Sequence, residues 1–233
     1  MPGAPALPAL TVTRAGPVCA GFPSPAEDYA EGPLDLSRLL APAGARPVFH
    51  SIPQADGTTL AHVLDRTLTP RPGDLALVRA DGVTRLVRVA RGAGGRPVLL
   101  GPGGRPLRTA RAECAGVATW RLRGFRGGEP GRDGAGLSTQ GHATFLFRVK
   151  GESMRQAGID DGDLLLVDRA ERPGHGDVVV AVSDGARSVK RLLVEGGRAL
   201  LAFENAGYPE PMPFQPETVL FGVVAWGLRR LRA

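Results

Sequence analysis

The sequence is 233 residues long, 42% hydrophobic and 22% charged, with 33 glycines, 21 prolines and 5% aromatics. That length suits one large or two small domains with a real core, and the glycine and proline content favours short strands and turns over helical bundles. No apolar run approaches the ~20 residues of a membrane span, and the two cysteines, Cys19 and Cys114, make neither a disulfide framework nor, with the histidines, a metal site.

No cofactor is therefore expected, and a reducing cytoplasm is the natural compartment. The net charge of +6 is unevenly placed. Residues 45–144 carry the whole basic excess, as scattered arginines without aromatic interleaving, which fits a solvated surface better than a nucleic-acid footprint.

Residues 1–44 read as an extended arm. The stretch "VCA" at Val18–Ala20 resembles a signal-peptidase site, but no basic residue precedes Arg14, and Pro2, Pro5 and Pro8 break the apolar segment, so no secretory signal is expected. Pro17, Pro23, Pro25 and Pro33 exclude regular structure apart from a short helical turn near "LDLSRLL". Residues 45–123 form a first β-rich block. Residues 124–144, glycine-rich and without periodicity, read as a linker, and 145–233 form a second β-rich block.

The two blocks resemble each other. "DRTLTPRPGDLALVRADG" from Asp65 aligns without gaps on "DRAERPGHGDVVVAVSDG" from Asp168, an offset of 103. "GGRPVLL" from Gly94 echoes "GGRALLA" from Gly196, and "GVATWRL" from Gly116 echoes "GVVAWGL" from Gly222, which places Trp120 and Trp226 at matching positions. The expectation is a duplicated, mainly β domain with a period far too long for a solenoid. In the second copy the strands fall near Phe145–Val149, Leu164–Val167, Asp177–Val182, Arg187–Val194, Ala199–Glu204 and Val219–Leu228, forming a small, strongly curved sheet closed on itself.

Only two of the 29 Lys and Arg residues are lysines, Lys150 and Lys190. Strand alternation puts Ser188, Lys190, Leu192 and Val194 on one face, and its aliphatic members make that the inner one. Desolvation there disfavours the ammonium and turns lysine into a base, which arginine cannot become. Ser153 follows strand "FLFRV" in a Gly-Glu-Ser-Met turn, and a serine needs such a base to act as a nucleophile. No histidine is well placed: His175 lies in the "GHGD" turn, while His50, His62 and His142 belong to the arm side or the linker. From the residues alone, Ser153 as a turn serine and Lys190 as a snorkelling strand lysine remain open.

The run "FRVKGESM", "GIDDGDLLLVDR", "HGDVVVAVSDG", "SVKRL" and "LFGVV" resembles the Ser-Lys self-cleaving peptidases of the LexA and UmuD family across residues 145–233, and Ser153 and Lys190 stand 37 positions apart, as in that family. The arm segment "VCAGFPSPAEDY" resembles the UmuD self-cleavage segment, and the bond would be Ala20–Gly21. The resemblance implies two tandem LexA/UmuD-like domains. In the second, Ser153 is the nucleophile, Lys190 the base, and the backbone amides of Ser153 and Met154 hold the oxyanion; Met154 itself is expected to pack beside the nucleophile. It further implies a DNA-damage (SOS) role as an accessory subunit of a translesion DNA polymerase, with cleavage stimulated by a RecA–single-stranded-DNA filament. The first copy departs from the pattern, with Ala55 and Val87 where the second has Ser153 and Lys190, and is expected to be inactive. Proteins of this type are generally homodimers, so an intramolecular pseudo-dimer or a homodimer is expected, with no membrane partner. The alternatives are a non-catalytic polymerase- or RecA-binding module with a vestigial dyad and a LexA-like regulator without its DNA-binding domain.

Overall fold

The computed structural model describes residues 11–14, 18–19, 33–41, 47–109, 111–126, 137, 144–183 and 185–232. In the arm, three short strands, β1 (Thr11–Arg14), β2 (Val18–Cys19) and β3 (Pro33–Asp35), precede a one-turn helix α1 (Leu36–Leu40). The first half contains β4 (Pro47–Pro53), β5 (Thr59–Asp65), β6 (Leu75–Ala80), β7 (Val83–Arg91), β8 (Pro97–Leu100) and β9 (Ala112–Gly124). The second contains β10 (Thr144–Lys150), β11 (Leu164–Asp168), β12 (Val178–Ser183), β13 (Ala186–Glu195), β14 (Arg198–Ala202), β15 (Met212–Pro213) and β16 (Val219–Arg230).

The mainly β expectation holds. The helical turn falls where "LDLSRLL" placed it, but the arm also forms strands, against the reading of its prolines. Pro33 opens β3, a position where a missing amide donor is tolerated. The strand expected over Ala199–Glu204 stops at Ala202, and 203–205 turn away to another task described below.

Both halves are wound alike. β6 and β7 are joined by Asp81-Gly82, both at positive φ (52° and 77°), the geometry a tight two-residue hairpin demands; β12 and β13 meet at the equivalent turn, where Gly185 has φ 74°. β5 and β6 pair with β9 as β11 and β12 pair with β16. The irregularities also coincide. The β5–β9 register shifts between Val63 and Leu64, opposite Trp120 and Ala118, and the β11–β16 register shifts between Leu166 and Val167, opposite Trp226 and Val224. A second pair of shifts falls at Leu77/Val78 and Val180/Ala181. Bulges bend a sheet locally and fix its register, so the halves curl in the same way.

One hydrophobic cluster serves both halves. It joins Phe49, Ala61, Val63, Trp120 and Leu122 of the first to Leu146, Leu164, Leu166, Trp226 and Leu228 of the second, with Leu36 and Leu40 of α1 and Leu137 packed in. A second cluster, including Phe147, Val149, Met154, Ile159, Leu165 and Val189, lies within the second half.

Candidate active site

β10 is a 7-residue strand buried at Leu146, Phe147 and Val149, and it is followed by Gly151, whose φ of 92° turns the chain sharply. The turn is fixed by the Gly151 amide donating to Asp161 Oδ1 (2.8 Å). Ser153 and Met154 follow, both 0% exposed, and a 3-10 turn Arg155–Ala157 leads to Gly158 at φ 80°. Met154 packs in the second-half core, as expected, and its carbonyl accepts from the Ala157 and Ile159 amides.

The Ser153 hydroxyl is fully buried, yet its Oγ has no hydrogen-bond partner among the described residues. A buried unpaired hydroxyl costs stability. Native structures retain few such groups, and they call for a functional or solvent explanation. Among the described residues, the amides of Ser153 and Met154 donate to no backbone carbonyl either.

Lys190 lies in β13, opposite Val179 of β12, and is only 3% exposed. The face that alternation assigns to Lys190 is buried in its middle: Leu192 packs with Val179, Ala181, Leu201 and Val223, and the face emerges into solvent at Val194. The neighbouring Val189 is also buried, in the other cluster, so the middle of β13 is covered on both sides. Lys190 Nζ donates to the Val189 carbonyl (3.2 Å) and lies 4.4 Å from the centroid of the Phe203 ring, a face that attracts an ammonium group.

Residues 203–205 couple the two candidates, and strand alternation did not mark them. Phe203 stacks on Lys190, while the Glu204 amide donates to the Ser153 carbonyl (2.8 Å). The Gln156 amide donates to the Glu204 carbonyl (2.8 Å), Asn205 Nδ2 donates to the Glu152 carbonyl (2.8 Å), and the Glu204 carboxylate is paired with Arg191. The polar pair Glu-Asn directly after an aromatic residue was the one available signal that the strand had ended.

The arm reaches this place. β1 runs parallel to β10, with Thr13 beside Phe145 and Arg14 beside Leu146. β2 continues along the same edge, with Val18 beside Val149 and Cys19 beside Lys150. Cys19 also pairs with Ser188 of β13. β10, β11, β16, β12 and β13 are hydrogen-bonded in succession, and β2 joins the two ends. The sheet expected to close on itself is open between β10 and β13, and the arm strand β2 bridges that opening. Ala20 and Gly21, the expected cleavage pair, lie outside the described residues.

The histidines stand apart. His175 Nδ1 accepts from the Val194 amide (2.9 Å). His50 and His62 face each other across β4 and β5, and His142 lies outside the described residues. Among the described residues, no helix is long and apolar enough to cross a membrane.

The second half is thus a curled β domain with a buried serine after one strand and a buried lysine on another. Residues 132–224 match the Peptidase S24-like family, and this part of the chain is of the UmuD/LexA type. It is 50% identical over 91 residues to protein ImpA of Escherichia coli, covering 39% of this chain and 61% of ImpA. Protein SamA of Salmonella typhimurium is 43% identical over 91 residues (39% of this chain, 63% of SamA). The LexA repressor of Dechloromonas aromatica is 43% identical over 90 residues (38% of this chain, 44% of the repressor). The chain thus spans less than two-thirds of the length of these relatives.

Proposed function

We propose that the protein is a self-processing serine endopeptidase that cuts its own arm between Ala20 and Gly21. The observation that carries this reading is the seat of Val18–Cys19 between the strand leading to Ser153 and the strand bearing Lys190. A strand paired on both sides is extended and immobilised, the state in which the chain following Cys19 is presented to a nucleophile.

In this reading the Lys190 amine takes the proton of the Ser153 hydroxyl as its oxygen bonds to the Ala20 carbonyl carbon. The amides of Ser153 and Met154 receive the oxyanion. The C–N bond then breaks, Lys190 returns the proton to the Gly21 nitrogen, and water hydrolyses the Ser153–Ala20 ester. The cellular role that the resemblance implies follows from this: a DNA-damage response factor in the cytoplasm, cleaved with the help of a RecA–single-stranded-DNA filament, whose trimmed form serves a translesion polymerase.

Intact-mass measurement after incubation at alkaline pH, where more lysine is neutral, tests the chemistry. The expected product begins Gly21-Phe22-Pro23, and the Ser153→Ala protein stays whole. Only intact chain at high pH and with the RecA filament overturns the reading, whereas a cut at another bond relocates the site.

A further inference from the structure

The two halves meet along β9 and β16, which pair antiparallel with Trp120 opposite Arg230, Leu122 opposite Leu228 and Gly124 opposite Trp226. The shared bulges make Trp120 the counterpart of Trp226, and hence Leu122 of Leu228 and Gly124 of Arg230. Exchanging the halves therefore maps this seam onto itself, and Leu122 against Leu228 marks the two-fold axis.

The reciprocity extends past the strands. The Phe125 amide donates to the Ala225 carbonyl (3.0 Å), and the Leu231 amide donates to the Thr119 carbonyl (2.9 Å). Arg126 crosses to the second half, where it pairs with Asp177 (2.5 Å) and Glu171 and donates to the Arg172 carbonyl. Arg232 crosses to the first half, where it pairs with Asp74 (3.1 Å) and donates to the Thr69 carbonyl. Asp74 and Asp177 play one part: each also accepts, through Oδ2, the amide three residues before it, Arg71 in one half and Gly174 in the other. Residues 124–126, expected to open a linker, are thus part of the interface. Domains merely tethered by a linker need no such reciprocity. Contacts in which residue i meets j while the counterpart of j meets the counterpart of i define an isologous interface, the kind that joins identical subunits by a two-fold axis.

We infer that the halves are duplicates of one domain and that the first occupies the seat of a second copy of the other. The chain is a two-fold dimer in a single polypeptide, with one candidate nucleophile instead of two, and its β16 edge is closed to other copies. The inactive half also touches the catalytic loop. A Cβ placed on Gly158 would lie 2.8 Å from Arg123 Nη1, so a seam residue of the first half closes against the segment that carries Ser153.

Disulfide trapping tests this without reliance on cleavage, in a Ser153→Ala chain with Cys19→Ser and Cys114→Ser. Directly opposed residues of an antiparallel pair have Cα atoms ~4.5–5.5 Å apart, within disulfide range. Leu122→Cys with Leu228→Cys should oxidise to a species of one-chain mass lacking both thiols. Leu228→Cys alone should stay at one-chain mass, because β16 would bring Leu228 against its own copy only if two chains paired through that edge. A two-chain disulfide in either protein, or no bond in the double variant, overturns the inference. Should these core changes prevent folding, Arg121→Cys with Arg229→Cys, opposed in the same seam, gives the same reading: an in-chain bond supports it, and a two-chain bond or none overturns it.

Discussion

The two halves share strand order, register and bulges, and they part where chemistry would be done. The connection from β10 to β11 spans 151–163 and holds Ser153, whereas that from β4 to β5 is the short turn 54–58, with Ala55 within it. Ladder register puts Val87 opposite Ala76 where Lys190 stands opposite Val179. Val87 is buried in a wholly apolar cluster with Ala76, Val78, Ala80 and Val89. Leu100 and Ala202 are likewise equivalent, so Gly101 follows where Phe203 does in the second half. The first half thus shows that the fold is complete without a buried lysine or an unpaired serine hydroxyl. Both groups cost stability, and a fold that works without them has kept them, in one half only, on or after the two strands that β2 bridges.

The sharpest break in this comparison is expected from the dyad itself. Ser153→Ala should abolish arm cleavage, and Lys190→Arg should lower it by on the order of 10³-fold or more despite keeping a cation, because arginine does not release its proton at accessible pH. Lys150→Arg, on the exposed side of β10, should leave the rate within about twofold, since surface changes away from a site are nearly neutral. Time courses of intact mass read all three. Cleavage by Lys190→Arg at the wild-type rate removes lysine from the role of base.

A smaller difference is expected at equivalent glycines beside the shared bulge. A Cβ on Gly222 would lie 2.7 Å from the Asp168 carbonyl oxygen and 2.9 Å from Val167 Cγ1, whereas one on Gly116 meets nothing closer than Leu64 Cβ at 3.1 Å. Backbone cannot move aside as a side chain can, so Gly222→Ala should destabilise by about 3 kcal/mol and Gly116→Ala by about 1 kcal/mol. Urea denaturation of each variant measures the gap, and equal losses would mean that the second half is no more tightly wound than the first.

Much of this was legible in the sequence because turn chemistry is local. The Asp-Gly pairs at Asp81-Gly82 and Asp184-Gly185 and the alternation around them recur at one offset, and they marked the strands and the likeness of the two halves. Ser153 and Lys190 stood out by chemistry, one a serine after a glycine turn and the other one of two lysines among arginines. What was hidden depends on partners distant along the chain. Phe203 acquires meaning from Lys190, and Glu204 from Ser153, through contacts that leave no periodic trace. β2 is two residues long and exists because β10 and β13 flank it, and Arg126 sat in a glycine-rich stretch whose composition says nothing of Asp177.

The least intrusive difference lies at His62, whose counterpart in the second half is Leu165, since His62 faces Arg121 as Leu165 faces Gly227. His62 is 4% exposed, with Nδ1 unpaired among the described residues. Burial, with added repulsion from His50 and Arg121, lowers its pKa from 6.5 to about 4. The folded protein thus resists a proton that the unfolded chain accepts, so stability is full above about pH 6.5 and falls as pH drops toward about 4. The loss by about pH 4.5 should be on the order of 2 kcal/mol. His62→Leu, which installs the residue of the other half, should remove that part of the acid sensitivity and relieve the unpaired nitrogen at neutral pH as well. Urea midpoints of wild type and variant at about pH 7 and about pH 4.5 decide it. The variant should lose less on acidification than the wild type, and parallel losses would show that His62 is not the group that senses acid in the first half.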